Sequence, residues 1–372
     1  MRVLVWQWGR RGAGPRYAAE LARAFGRDEG TEALLSLSAA AELLQTDDPP
    51  RCALPVVTYA SMGGFGARML SAPVLVPRLA RWLRRERVDI ALCAMPAAMD
   101  LLMAAALRLA GIPYVVVVHE ADLHPGDRYA AQIWLQRQLV RGARGVFALT
   151  KHVAERMRAQ GMLQGKTLME AALPPLHYGG ELPPPGSHGG RRRLLSFGRL
   201  LPYKGLDLLA DGLALIGERE DLEVRVVGSG PESPELDRLR AMPWVTVENR
   251  WVSEGEVSGL LGWADGLVLS HREASQSGVA AAAIAARRWV IATRVGGLEE
   301  QLGKERMAIL CAPEADSLAD AIRQWVRMDL TPAAGRSDAT WAETAERMVA
   351  DLKGLVGLRQ ALTPTLSRRE RE

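Results

Sequence analysis

Two cations, Arg199 and Lys204, stand close together in Phe197-Gly198-Arg199-Leu200-Leu201-Pro202-Tyr203-Lys204-Gly205. Arg199 closes an apolar run and Lys204 precedes a helix-length segment. Both therefore fall at the positive end of a helix, where charge and amide N–H groups together hold a diphosphate. The alternative is ordinary surface charge. A second anion site is written in His271-Arg272-Glu273-Ala274-Ser275-Gln276-Ser277-Gly278-Val279, which runs into the alanine-rich stretch 280–286. Ser277, Gly278 and Val279 would offer the amides of a first helical turn. Glu273 adds a carboxylate that can accept hydrogen bonds from sugar hydroxyls. Ser275 or Ser277 could instead serve only as a helix cap.

Three further loops follow apolar runs. His119-Glu120-Ala121-Asp122-Leu123-His124-Pro125-Gly126 puts two histidines and two carboxylates after Val118. No other His or Cys is spaced to complete a zinc site, so His119 reads either as a cleft-facing group or as a packed histidine. Gly9-Arg10-Arg11-Gly12-Ala13-Gly14-Pro15-Arg16 leads into the helix candidate Tyr17–Phe25. Such a turn can approach a phosphate or can simply be tight; Tyr17 stands where a dinucleotide fingerprint needs its third glycine. Val227-Gly228-Ser229-Gly230-Pro231, with Glu248 twenty residues after Gly228, imitates that fingerprint but has Ser233 in the third glycine's place.

The elements that must position these loops are short apolar runs alternating with helix-length segments. The strand candidates are Arg2–Gln7, Leu34–Ser38, Val56–Tyr59, Ile90–Met95, Tyr114–His119, Gly145–Thr150 and Lys166–Glu170, then Leu194–Arg199, Glu223–Gly228, Val245–Arg250, Gly266–Ser270, Trp289–Arg294 and Ala308–Ala312. Unbroken runs such as Val115-Val116-Val117-Val118 suit parallel strands covered on both faces. Strand–helix alternation argues for βαβ units. Pro174-Pro175, Gly179-Gly180, Pro183-Pro184-Pro185-Gly186 and Gly189-Gly190 form the clearest linker, so the reading divides the chain into two doubly wound halves near residue 190. A last helix is expected over Ser337–Leu355, and Thr363–Glu372 as a disordered tail.

The 372 residues exceed the roughly 250–300 at which a single core stops growing, which favours two domains. No run of about 20 apolar residues is free of charge and turn residues, which excludes a spanning helix, and no secretory leader is recognisable. The three cysteines, Cys52, Cys93 and Cys311, are scattered, as in a reducing, cytoplasmic setting. Residues 1–190 carry 22 Lys and Arg against 16 Asp and Glu, and residues 191–330 carry 18 against 21. That bias suits an anionic substrate or surface but is too weak for nucleic acid, and no interleaved aromatic–basic pattern is present.

The order Gly198-Arg199-Leu200…Lys204-Gly205, Val227-Gly228-Ser229-Gly230-Pro231, Glu273-Ala274-Ser275-Gln276-Ser277-Gly278-Val279 and Ala292-Thr293…Val295-Gly296-Gly297 resembles the donor-binding half of retaining glycosyltransferases of family 4. The resemblance covers about residues 194–330 strongly, and the first half more loosely, through Gly12, Gly14 and the His119 loop. It implies an α/β fold of GT-B type: two Rossmann-like domains facing a cleft (1–190 and 191–335), a helix over 336–360 crossing back to the first domain, and a tail over 361–372. It also implies a nucleotide-diphosphate sugar as donor, a glycan or lipid-linked acceptor, and neither metal nor cofactor. By this resemblance Arg199 and Lys204 bind the diphosphate, Glu273 faces the transferred sugar, and His119 lies near the reaction centre. Gly12, Gly14, Gly228, Val252, Ser277, Gly278 and Val279 complete the donor set. The family's Glu-x7-Glu motif would place its second, ribose-contacting glutamate at Ala281. Its absence reads as a motif variant. It is also the feature that favours one rival, a non-catalytic module that binds sugar nucleotide or a partner glycosyltransferase; a second rival is another enzyme on the same fold, such as a sugar-nucleotide epimerase.

Pro77-Arg78-Leu79-Ala80-Arg81-Trp82-Leu83-Arg84-Arg85-Glu86-Arg87 is a basic amphipathic segment. It reads either as a peripheral contact with anionic lipid on the inner face of a membrane or as a solvated outer helix.

Overall fold

The computed structural model describes residues 1–122, 130–180, 182, 184, 188–329 and 340–362, with the side chains of 130–132 and 358–362 left out. The expected tail, the start of the expected last helix at Ser337, part of the linker and the His124-Pro125-Gly126 end of the His119 loop lie outside the described residues.

The first half runs β1 (Arg2–Gln7), α1 (Ala13–Phe25), β2 (Glu32–Leu37), α2 (Met62–Leu70), α3 (Ala72–Arg85), β3 (Ile90–Cys93), α4 (Asp100–Ala110), β4 (Tyr114–Val118), α5 (Ala130–Gly142), β5 (Gly145–Ala148), α6 (Lys151–Ala159) and β6 (Thr167–Glu170). The second runs β7 (Arg192–Arg199), α7 (Leu206–Ile216), β8 (Leu222–Ser229), α8 (Pro234–Arg240), β9 (Val245–Asn249), α9 (Val257–Trp263), β10 (Gly266–Leu269), α10 (Gly278–Ala285), β11 (Trp289–Thr293), α11 (Gly297–Leu302), β12 (Ala308–Cys311), α12 (Ala315–Arg327) and α13 (Trp341–Leu362).

Each half is a six-stranded parallel sheet, ordered β2-β1-β3-β4-β5-β6 and β12-β11-β10-β7-β8-β9. The unbroken apolar strands β3, β4, β5, β10 and β11 are buried throughout, as the valine run foretold. Alternate residues face opposite layers. In the first sheet Val3, Val5, Ile90, Val115 and Phe147 pack on the α1 and α13 side, while Leu4, Trp6, Ala91, Val116 and Val146 pack on the α3 and α4 side. In the second, Leu194, Val224 and Val268 face α7 and α12, and Leu195, Leu267 and Val290 face α9 and α10.

One expected strand does not form. Of Val56–Tyr59, only Val56 bridges Ser38, beyond the end of β2. Leu54 and Pro55 precede it, and the segment runs along the sheet margin with Val57 exposed. Without it, the order of the first sheet reverses between β1 and β3. The second reverses between β7 and β10. Ligands of open α/β sheets bind outside the carboxyl ends of the strands at such reversals.

The last helix returns to the first half. Ala345, Met348, Val349, Leu352 and Leu355 join the core cluster of the first sheet. Trp341 Nε1 donates to Pro175 O at 2.7 Å, and Lys353 Nζ lies 2.8 Å from Asp28 Oδ2.

Candidate active site

The two reversals open onto one cleft of about 620 Å³. From the first half it is lined by Gly12, Gly14 and Tyr17 after β1, Met95 and Pro96 after β3, and His119 and Glu120 after β4. From the second half come Arg199, Tyr203 and Lys204 after β7, Gly228 after β8, Val252 and Glu254 after β9, and Ala274 with residues 276–279 after β10.

His119 is buried, and its Nε2 lies 2.8 Å from Ala94 O. A carbonyl only accepts, so Nε2 carries the proton and Nδ1 is left as an acceptor. Burial pulls the imidazole pKa down to about 4, which keeps the ring neutral at neutral pH. The edge of Tyr17 packs against it, with ring centroids 5.0 Å apart.

The cations sit opposite. Arg199 lies 3.9 Å from Glu120 of the first half, and both Arg199 and Lys204 lean on the Tyr203 ring, at 5.2 and 5.1 Å. Lys204 Nζ is 2.7 Å from His271 Nε2. Burial, then the neighbouring Arg199 charge, brings the Lys204 pKa down to about 7.

Gly228 serves close packing as well as the cleft. A Cβ there would stand 1.7 Å from Gly198 O, so the β7–β8 pair can approach this closely only without a side chain. Glu248, twenty residues on, is engaged elsewhere: it pairs with Arg225 and Arg250, and it is not among the residues lining the cleft. The dinucleotide fingerprint is therefore not used here.

At α10 the Ser277 hydroxyl accepts from Ala280 N at 3.2 Å, and Ser277 N donates to Gln301 Oε1 at 2.8 Å. Ser277 is thus a cap whose own amide is already engaged. Gly278 and Val279 are the first-turn amides left to meet an anion.

Glu273 is exposed and is not among the residues lining the cleft. The backbone of its loop is held at two points. Gly297 N donates to Ala274 O at 2.9 Å, and Thr150 Oγ1 donates to Ser275 O at 3.1 Å. These bonds fix residues 274 and 275, and the loop delivers 276–279 to the cleft. Arg272 pairs with Asp207 at 2.6 Å. Ala281 is buried, and its carbonyl accepts from Leu176 N at 3.1 Å.

The structure adds residues that sequence reasoning passed over. Arg16 reaches across to Glu254, donates to His177 O at 2.7 Å, and lies 4.8 Å from the Tyr178 ring centroid. Trp251 Nε1 donates to Glu42 Oε1 at 3.1 Å, and Arg11 pairs with that same oxygen at 3.1 Å. The signal available was the run of arginines in the first glycine-rich loop, which had no evident partner in sequence. Among the described residues no group of three or more His, Cys, Asp or Glu could hold a metal ion.

The family profile described as "Glycosyl transferases group 1" matches residues 191–328, and that described as "Glycosyl transferase 4-like domain" matches residues 5–169. The chain belongs to the group 1 glycosyltransferases of family 4. No curated protein matches this glycosyltransferase. Among solved structures it is similar to HepE from Anabaena in complex with UDP-glucose, at 18% identity and TM-score 0.64, over 97% of this chain and 100% of that one. It is similar to sucrose-phosphate synthase from Thermosynechococcus elongatus at 16% and 0.61, over 97% and 98%. It is also similar to UDP-GlcNAc 2-epimerase from Methanocaldococcus jannaschii, at 12% and 0.59, over 95% and 100%. These likenesses establish the GT-B fold of this glycosyltransferase.

Proposed function

We propose that this glycosyltransferase transfers a sugar, with retention of anomeric configuration, from a nucleotide-diphosphate sugar to a glycan or lipid-linked acceptor in polysaccharide or glycoconjugate biosynthesis. The observation that carries the reading is the opposition, across one cleft, of two cations with the α10 amides on one side and the neutral His119 on the other.

In this reading the donor diphosphate lies on Arg199, Lys204 and the amides of Gly278 and Val279. As the bond from the anomeric carbon to the diphosphate breaks, its electron pair stays on the phosphate oxygen, and those fixed charges stabilise it. Val252, Gly228, Gly12 and Gly14 border the donor. The acceptor hydroxyl approaches from the His119 side, where Nδ1 can accept a hydrogen bond. Glu273 supplies the carboxylate of that loop for the sugar hydroxyls. Residues 1–190 form the acceptor side, β7 to α12 the donor side, and α13 (Trp341–Leu362) is the crossing helix.

We also assign a peripheral membrane contact to Pro77–Arg87. Arg78, Arg81, Arg84, Arg85 and Arg87 are exposed there while Leu79, Ala80 and Leu83 face the core. The adjoining α2 buries none of its residues and exposes Met62 and Leu70. No helix among the described residues is long and apolar enough to cross a membrane.

The test is thermal unfolding against a panel of nucleoside diphosphates and nucleotide sugars. A ligand at a hundredfold excess over its Kd adds about 2.7 kcal/mol. A shift with one nucleotide family supports the reading and names the base. No shift from well-folded protein overturns it. Conversion of the nucleotide sugar with no acceptor present would instead reveal an epimerase.

A further inference from the structure

We propose that His271 is a positioning residue for the diphosphate site: it holds Lys204 Nζ through its Nε2, so that the ammonium meets the anion in a fixed direction. The inference rests on the donor reading above and adds a residue to it.

The turn and the loop that carry the pair are locked together. Gly205 has φ +65°, and a Cβ there would stand 1.9 Å from Ser270 O. Arg272 N donates to Tyr203 O at 2.8 Å, and Ser270 Oγ donates to Lys204 O at 2.9 Å. Below His271, Thr293 Oγ1 donates to its carbonyl at 2.6 Å. The imidazole is buried, edge-on to the Tyr203 ring with centroids 6.2 Å apart, and its Nε2 is 2.7 Å from Lys204 Nζ. Lysine has three donors on a flexible stem. Spending one of them on an immobile acceptor fixes where the other two point, and the cleft is what they face.

The arrangement has a chemical limit. An ammonium can donate to Nε2 only while that nitrogen is unprotonated. A second proton would set two cations in contact and break the bond. Among the described residues, the charged and titratable groups around the pair include Arg199 beside it, Glu120 across the cleft mouth, Tyr203 against Lys204, and the Arg272–Asp207 pair. On acidification, loss of the His271–Lys204 bond therefore weakens diphosphate binding beyond the weakening due to the ligand's own protonation.

Calorimetric titration with UDP and with inorganic pyrophosphate, over a pH series, tests this on wild type, His271→Gln and His271→Leu. The Gln amide oxygen accepts from lysine without titrating; Leu cannot accept. Expected are a Kd for His271→Gln within about threefold of wild type at neutral pH, with the extra acid weakening gone, and binding at least about tenfold weaker for His271→Leu. The ligand's titration is common to all three proteins. Wild-type affinity in His271→Leu, or an unchanged acid limb in His271→Gln, overturns the proposal while leaving the donor site standing. Wild type that binds neither probe overturns the donor reading itself.

Discussion

Arg16 of the first half and Glu254 of the second form a buried ion pair across the cleft, their side chains 15% and 6% exposed. Burial raises the Glu254 carboxyl even with Arg16 beside it. The pair therefore costs desolvation, which its mutual attraction, the His177 carbonyl and the Tyr178 ring offset. Removing one partner strands the other. Glu254→Ala should lower stability by about 3 kcal/mol, and Arg16→Leu combined with Glu254→Leu should recover part of that. Denaturant unfolding of Glu254→Ala, of Arg16→Leu and Glu254→Leu singly, and of that double checks it. Additive losses would mean that the two charges do not act as a pair.

Arg199→Ala and Lys204→Ala should each weaken nucleoside diphosphate binding about tenfold to a hundredfold, the worth of a charge-assisted hydrogen bond, with unchanged circular dichroism. Lys204 adds a pH signature. Burial and the Arg199 charge bring its pKa down to about 7, so above that pH the ammonium must be regained as the anion binds. Affinity should fall as pH rises from 7 to 9, and Lys204→Met should flatten that fall. Calorimetry in buffers of different ionisation enthalpy reads the proton taken up.

Glu273 lies outside the cleft lining while Arg199 is within it. Glu273→Gln should therefore leave UDP affinity within about twofold and slow sugar transfer by about tenfold or more. Affinity and turnover lost together would put the carboxylate in the diphosphate site instead.

His119 and Asp100 pull stability in opposite directions over one pH window. The folded His119 pKa of about 4 is below the ordinary 6.5, so the unfolded chain binds the extra proton between those values. That penalty is complete below 4 and gone above 6.5. Asp100, fully buried, is raised to about 7 from 3.8. Its penalty is absent below 3.8 and complete above 7. They amount to about 3 kcal/mol for His119 and about 4 kcal/mol for Asp100. Wild-type stability should thus change little between pH 4 and 6.5. Asp100→Asn should make it rise with pH, and His119→Phe should make it fall. Chemical unfolding at four pH values decides this, and parallel profiles in all three proteins would defeat the argument.

Co-sedimentation with vesicles tests the membrane contact. Binding is expected to vesicles containing phosphatidylglycerol, weakly or not at all to phosphatidylcholine alone, and to diminish with salt. Arg81→Glu with Arg85→Glu should abolish it, as should Leu70→Asp. Equal sedimentation with both lipids would remove the electrostatic account.

The sheets were legible because their strands are apolar on both faces; Val115–Val118 is a pattern with few other uses. Val56–Tyr59 has the same composition, but nothing in sequence told that Leu54 and Pro55 deliver it to a margin where one bridge is all it makes. The cleft was legible through strand ends: Arg199, Lys204, Gly228 and residues 277–279 all reach it. What escaped was long-range pairing. Arg16 finds a partner 238 residues away, and Thr150 meets the Ser275 carbonyl 125 residues away. Such contacts have no local pattern.

The return of α13 to the first sheet means that the polypeptide leaves that half once, after Glu170, and re-enters it once, by Trp341. The second half is therefore an insertion tethered at two points. One tether would let it swivel about any axis. Two do not: any movement that parts Arg199 from Glu120 has to be accommodated at both crossings.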